Sequence, residues 1–175
     1  MAQGPDRPFH PVNIALLTVS DTRSARDDTS GDILAGRIAD AGHGLSAREI
    51  SRDDRNEIAA HLHHWIDDPE IDAIITTGGT GLTGRDVTPE ALDQVKDKDI
   101  PGFGELFRWL SFETIGTSTI QSRACAVIAR GTYIFALPGS NGAVKDGWDK
   151  ILVHQLDSRH RPCNFVELMP RLRER

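Results

Sequence analysis

The chain has 175 residues, 38% apolar and 26% charged, which is the balance of one ordinary globular domain long enough to bury a full core. A formal net charge of −6 argues against a nucleic-acid-binding surface, and no apolar run approaches the length of a membrane span. No charged segment followed by an apolar one opens the sequence, so the expected location is the cytoplasm.

Residues 1–11 carry three prolines and no apolar periodicity, and read as a mobile arm or one that packs on a neighbour. From Asn13 the near-continuous apolar run IALLTV suits a central parallel strand covered on both faces, ending at Ser20-Asp21. After Asp27-Asp28, Thr29 or Ser30 is placed to cap a helix with Ile33, Leu34, Ile38 and Ala41 on one stripe, stopped by Gly42. A weaker strand follows over about residues 45–50. Asp53 or Asp54 then caps a second helix, with Glu57 as capping partner and Ile58, Leu62, Trp65 and Ile66 facing the core. His61, His63 and His64 on this helix lack the carboxylate or cysteine that would complete a metal site, and read as a solvated face.

Residues 71–76 form the next predicted strand. Thr88 is placed to cap a short helix with Pro89 at its first position, Pro101-Gly102 breaks it, and a longer helix runs over about 102–115. The spacing of Phe103, Phe107, Trp109 and Phe112 fits packing on two faces of that helix. Residues 124–128 and 132–137, joined at Arg130-Gly131, read as a hairpin. The loop Pro138-Gly139-Ser140-Asn141-Gly142 opens a last helix to about Gln155, with Val144, Trp148, Ile151 and Leu152 inward. Strand–helix alternation with a late antiparallel pair predicts a three-layer α/β/α sandwich, its sheet mostly parallel with an antiparallel edge pair. Cys125 and Cys163, far apart and without C-x-x-C spacing, suggest neither disulfide nor zinc site and read as small buried hydrophobes.

The most informative stretch is IDAIITTGGTGLTGRDVTPEAL, residues 71–92. A buried strand stops in Thr76-Thr77-Gly78-Gly79-Thr80-Gly81, and Arg85 and Asp86 precede the next helix. Glycines admit positive φ and let backbone amides approach a ligand, and consecutive amides form a concave nest for anionic oxygens. The literal G-x-G-x-x-G match from Gly79 to Gly84 lacks the dinucleotide context: the helix begins several residues later, and no strand-ending acid follows about 20 residues on. A P-loop would carry Gly-Lys-Ser or Gly-Lys-Thr where this chain has Gly84-Arg85-Asp86. A plain turn is the remaining alternative, and one turn rarely needs three glycines with a charged pair. In open α/β sheets ligands bind beyond the carboxyl ends of the strands. Three such ends here carry polar or glycine loops: Ser20-Asp21, residues 77–86, and residues 138–142. Their convergence would build one anion site.

With these segments in place the chain resembles the MogA/MoaB family of molybdenum cofactor biosynthesis. The resemblance covers about residues 12–165 and rests on LLTVSD, DDTSG, TTGGTGLTGRDVTPEAL and LPGSNGA, in that order. GFGELFRWLSFETIGTSTIQSRA and LDSRHRPCNF look closer to the MoaB branch. The resemblance implies a molybdopterin-binding domain over 12–165, which leaves the arm over 1–11 before it and a tail over 166–175 after it. It also implies a Mg²⁺-dependent molybdopterin adenylyltransferase, in which the terminal phosphate of molybdopterin attacks the α-phosphate of ATP and pyrophosphate leaves, with GTP as the alternative nucleotide. Such chemistry is mainly positioning and charge neutralisation. Gly78, Gly79, Thr80 and Gly81 would cradle phosphate and Asp86 would hold the metal. Asp53 would be the family's second functional carboxylate, its alternative role being a helix cap. Arg85 and Arg123, the latter in Ser122-Arg123, are candidate phosphate clamps, with a surface ion pair as the alternative for Arg85, and Ser122 is a substrate-binding candidate beside Arg123. Pro138, Gly139, Ser140 and Asn141 would contact nucleotide or pterin. Asp27 and Asp28 read as structural, and Ser30 is left open. Family resemblance further implies a homotrimer or a hexamer built from trimers, and transient contact with a molybdenum insertase. The rival readings are a binding-only member of the MoaB branch, a CinA-type nucleotide-processing domain and a purely structural protein.

Overall fold

Strand β1 (Asn13–Val19) is buried from Ile14 onward, with Ile14 and Leu16 packed into one apolar cluster and Ala15, Leu17 and Val19 into another. A strand apolar on both faces requires helices on both sides of the sheet, and the computed structural model, which describes residues 7–174, supplies them. β1 lies between β2 (Gly44–Ser51) and β3 (Ala73–Thr77), parallel to both, and β3 pairs in parallel with β6 (Thr132–Leu137). β6 turns back on β5 (Cys125–Ala129), and β5 holds the two-residue β4 (Lys98–Asp99) at the edge, giving the order β2-β1-β3-β6-β5-β4. The hairpin is as expected; β4 is an addition, too short to leave any periodicity in the sequence.

Helices α1 (Thr29–Asp40), α4 (Pro101–Ile115) and α5 (Asn141–Gly147) cover one face of the sheet, where Leu34, Phe103, Phe107 and Val144 pack with β1 and β6. Helices α2 (Arg55–Ile66) and α3 (Thr88–Val95) cover the other through Ile58, Leu62, Trp65 and Leu92. α5 runs on through a wide π turn (Trp148–Leu152), which buries Trp148, Ile151 and Leu152. Among the described residues no helix is long and apolar enough to cross a membrane.

The caps differ from the sequence reading in ways that matter for the site. α1 is capped by Asp28, whose carboxylate accepts the Gly31 amide; Thr29 and Ser30 lie inside the first turn. Asp28 has no exposed surface and also receives the Thr18 hydroxyl and the Arg48 guanidinium, each at 2.8 Å. α2 is capped by Asp54, which accepts the amides of Asn56 and Glu57, so Asp53 stands outside the helix. Thr88 is the first residue of α3, and its hydroxyl donates to the Gly78 carbonyl. On α4 the four aromatics divide: Phe103 and Phe107 are buried, whereas Trp109 and Phe112 are exposed. Cys125 is half-buried, with burial pushing its thiol up to about 11, but Cys163 is exposed and not a core residue.

Of the expected arm, residues 1–6 lie outside the described residues, as does residue 175 of the tail. Residues 7–11 pack on their own chain: Ser158 Oγ accepts the His10 amide and donates to the Pro8 carbonyl, and the Arg159 guanidinium lies 4.9 Å over the Phe9 ring. Beyond residue 165 the chain stays on the body, with Val166, Met169 and Leu172 against the core.

Candidate functional site

Register sets the site. Thr77 pairs with Thr18 on one side and Leu137 on the other, so β1, β3 and β6 end side by side and the loops that leave them meet. Gly78 and Gly79 both take positive φ, 106° and 65°. A Cβ on Gly78 would stand 2.2 Å from the Val19 carbonyl oxygen, and one on Gly139 would stand 3.2 Å from Gly78 Cα. Only glycine permits both the left-handed backbone and this approach of three strand ends. The Gly78 amide donates to the Leu137 carbonyl, but the amides of Gly79 and Thr80 find no hydrogen-bond partner among the described residues. Two adjacent amides without a protein partner at a positive-φ turn have the arrangement that an anion nest requires.

Next to the loop lies a cleft of about 650 Å³. Gly78, Gly79, Thr80, Gly81 and Asp86 form one side, and Pro138, Gly139 and Ser140 another. Another wall comes from α4, the 3-10 turn after it (Gly116–Gln121) and Ser122, where Phe107 and Ile115 stand beside the hydroxyl-bearing residues Ser111, Thr114, Ser118, Thr119 and Ser122. Ser140 Oγ also accepts the Ala143 amide, capping α5 at the cleft. Asn141, Asp53, Arg85 and Arg123 are not among the lining residues; Asn141 bonds Thr29 through its side chain.

Three aspartates sit around the glycine loop. Asp53 Oδ2 accepts the Asp21 amide at 2.9 Å and Asp21 Oδ1 accepts the Asp53 amide at 3.1 Å, a reciprocal pair joining two loops. Asp53 Oδ1 lies 3.2 Å from the Cβ position of Gly79. Burial raises the Asp53 carboxyl above its ordinary value, and the Asp21 charge and, less, that of Asp86 push the same way. Burial also acts upward on Asp86, but the Thr83 hydroxyl and amide, both donating to Oδ2, outweigh it and hold the carboxyl low.

The two arginines read as clamps are engaged within the protein. Arg85 makes a forked pair with Asp21, both contacts at 2.9 Å, and is largely exposed. Arg123 donates to the Gly81 and Asp86 carbonyls at 2.7 Å each and pairs with Glu90, fastening the glycine loop to α3. The sequence reading named the Ser20-Asp21 loop and Ser122 but passed over Arg23, which lines the cleft, and the rest of the hydroxyl wall, Ser111, Thr114, Ser118 and Thr119. Arg23 lies two residues past a recognised strand end; the wall has no signature until α4 is placed.

Magnesium asks for hard oxygen donors and keeps much of its water, using one or two carboxylates beside substrate phosphate. Asp53 and Asp86 bordering the same loop are donors of that kind, and a divalent cation would relieve the like-charge pressure on Asp53. Among the described residues no group of three or more ligating side chains forms a cage. The residues therefore fit an ion held jointly with a ligand's phosphate.

A family model described as a probable molybdopterin binding domain matches residues 15–158, which include all three loops. The chain belongs to the MogA/MoaB family of molybdenum cofactor biosynthesis proteins. Molybdenum cofactor biosynthesis protein B from Escherichia coli (strain K12) is 49% identical over 157 residues, covering 90% of this chain and 92% of that one. A crystal structure of a molybdenum cofactor biosynthesis protein B superposes with a TM-score of 0.85 at 34% identity, over 99% of this chain and 100% of the other. The tungsten cofactor synthesizing protein MoaB from Pyrococcus furiosus superposes with a TM-score of 0.78 at 33% identity, over 94% and 98%. In this MogA/MoaB chain the glycine loop lines the cleft of about 650 Å³.

Proposed function

We propose that this protein adenylylates molybdopterin with Mg²⁺ and ATP. A phosphate oxygen of molybdopterin attacks the α-phosphorus of ATP, the bond to the β-phosphate breaks, and adenylyl-molybdopterin and pyrophosphate result. The observation that carries the reading is the nest of open amides at Gly79 and Thr80, bordered by Asp53 and Asp86 and opening into a ligand-sized cleft. Transfer of this kind depends on positioning and on neutralising phosphate charge. The amides bind phosphate oxygen, Gly81 and Gly139 leave room for it, and exposed Ile115 offers an apolar seat for a flat ring. Pro138, Ser140 and Ser122 complete the binding surface, and Asn141 opens the helix behind it. Asp53 and Asp86 would hold a Mg²⁺ ion beside the ligand's phosphate, and bound there it would offset the negative charge of the phosphates. Arg123 acts by fixing the loop and Arg85 by fixing Asp21, in place of clamping phosphate themselves.

A second reading is a binding-only protein for molybdopterin or nucleotide. One observation favours it: both Thr83 donors already occupy Asp86 Oδ2, which competes with metal binding. The deciding measurement is pyrophosphate release by the purified chain with ATP, Mg²⁺ and molybdopterin, with GTP in parallel and pterin omitted as control. Pterin-dependent release from ATP is the expected result; binding without release would leave the second reading. The reaction is assigned to the cytoplasm, with the product passed to a molybdenum insertase. Exposed Trp109, Phe112, Ile115 and Ile120 along α4 and the next turn support self-association into a homotrimer or trimer-based hexamer, which light scattering would detect.

A further inference from the structure

Arg23 is the one cationic side chain among the described residues that line the cleft, which it shares with two carboxylates, Asp86 and Asp146. An anionic ligand entering there meets amides and a single fixed positive charge. The guanidinium is held from two sides: Nη1 donates to Ser30 Oγ in the first turn of α1, and Nη2 donates to the Gly139 carbonyl at 3.0 Å. Gly139 in turn abuts Gly78, so Arg23 stands one residue's width from the glycine loop. Asp28 lies near, its Oδ1 3.8 Å from Nη1, but its carboxylate is already met by Thr18, Arg48 and the Gly31 amide. A guanidinium carries five N–H donors, and these two bonds use two. The rest can serve a ligand at the cleft surface, with the planar group already oriented.

We propose that Arg23 is a phosphate-binding residue of this cleft, recognising the phosphate of the pterin or the phosphates of the nucleotide and not the ring system. The inference rests on the reading of the cleft as a phosphate-ligand site, and it moves the clamp role from Arg85 and Arg123 to a residue on the β1–α1 loop. Because the Ser30 and Gly139 contacts are made without ligand, the charge is preorganised.

The test is equilibrium titration of the full chain, as wild type, Arg23→Gln and Arg23→Lys, with three probes: molybdopterin, molybdopterin from which a phosphatase has removed the phosphate, and ATP with Mg²⁺. Loss of a charge-assisted hydrogen bond weakens binding by about tenfold to a hundredfold. Arg23→Gln is expected to weaken a phosphate-bearing probe by that factor while the dephosphorylated pterin changes by less than about twofold. Arg23→Lys should recover part of the loss, since the charge returns without the fork. Whether molybdopterin or ATP carries the loss tells which phosphate the residue meets. Equal weakening of all three probes would mean that Arg23 only shapes the cleft, and no weakening would mean that it does not bind; either overturns the proposal. The adenylylation reading fails separately: Arg23-dependent phosphate binding with no pyrophosphate release sinks that reading alone. A wild type that binds none of the probes sinks both.

Discussion

Asp53 shows how one residue's surroundings separate a functional acid from a structural one. Its neighbour Asp54 caps α2, so the helix does not depend on Asp53. Its carboxyl is raised by burial and by the Asp21 and Asp86 charges, so the native state binds its proton more tightly than the unfolded chain does. For an acid raised in this way, stability is greatest below the unfolded value near 3.8 and falls as pH rises through the higher folded value; at neutral pH the charge is a burden. Asparagine keeps an oxygen able to accept the Asp21 amide and removes the charge. Asp53→Asn is therefore expected to melt at the same temperature as wild type or higher at pH 7, with the difference gone below about pH 4, while Mg²⁺-dependent turnover falls at least about tenfold. Parallel melts and pyrophosphate assays check this. A variant that melts lower would return Asp53 to a structural role, and one with full activity would remove it from the site.

At the scale of elements, the glycine loop owes its shape to a side chain from another part of the chain. Arg123, just after the 3-10 turn that follows α4, ties the Gly81 and Asp86 carbonyls to Glu90 on α3. If it were a phosphate clamp, its removal would cost affinity and leave the ligand-free fold alone. As a fastener, Arg123→Ala is expected to destabilise the free protein by about 1–3 kcal/mol and to speed amide exchange through residues 81–86. Arg123→Lys should restore only part, because one ammonium cannot reach both carbonyls and the carboxylate. Urea midpoints and exchange rates without ligand distinguish the two. The loop's place was legible from IITTGGTG, since a buried strand running into glycines has few other meanings, and so were β1, α1, α2 and the β5–β6 hairpin from their apolar periods. The partners of Arg85 and Arg123 were not, because an arginine's reach spans residues up to 64 positions apart here and leaves no local pattern. The choice of Asp28 over Thr29 or Ser30, and of Asp54 over Asp53, turned on one-residue shifts at helix starts, where neighbouring polar residues are chemically equivalent as caps.

Across the whole molecule, one histidine joins the segment before β1 to the helix that follows β6. His43, between α1 and β2, is nearly buried, and its Nδ1 accepts the Val12 amide at 3.1 Å, so the ring must be neutral there. Phe9 packs on it with centroids 5.3 Å apart, and Trp148 meets it edge-on at 6.2 Å. Phe9 in turn lies under Arg159, and Ser158 bonds to both Pro8 and His10. Burial lowers the His43 pKa, and the Asp157 charge, acting upward, does not restore it. A base lowered in the native state binds fewer protons folded than unfolded, so its contribution is complete above about pH 6.5 and is lost as pH falls below that. Asp28, also lowered because Arg48, Thr18 and the Gly31 amide outweigh its burial, acts in a different window, losing its contribution only below about pH 3.8. Between these values His43 governs the fastening of residues 7–12. Stability is expected to decline from pH 6.5 to 5, with faster exchange of the Val12 amide than of β1's interior, and His43→Gln should flatten that slope because glutamine still offers an acceptor and does not titrate. If His43→Gln kept the full wild-type slope over that range, the dependence would belong to other groups and the histidine would be only a packing residue.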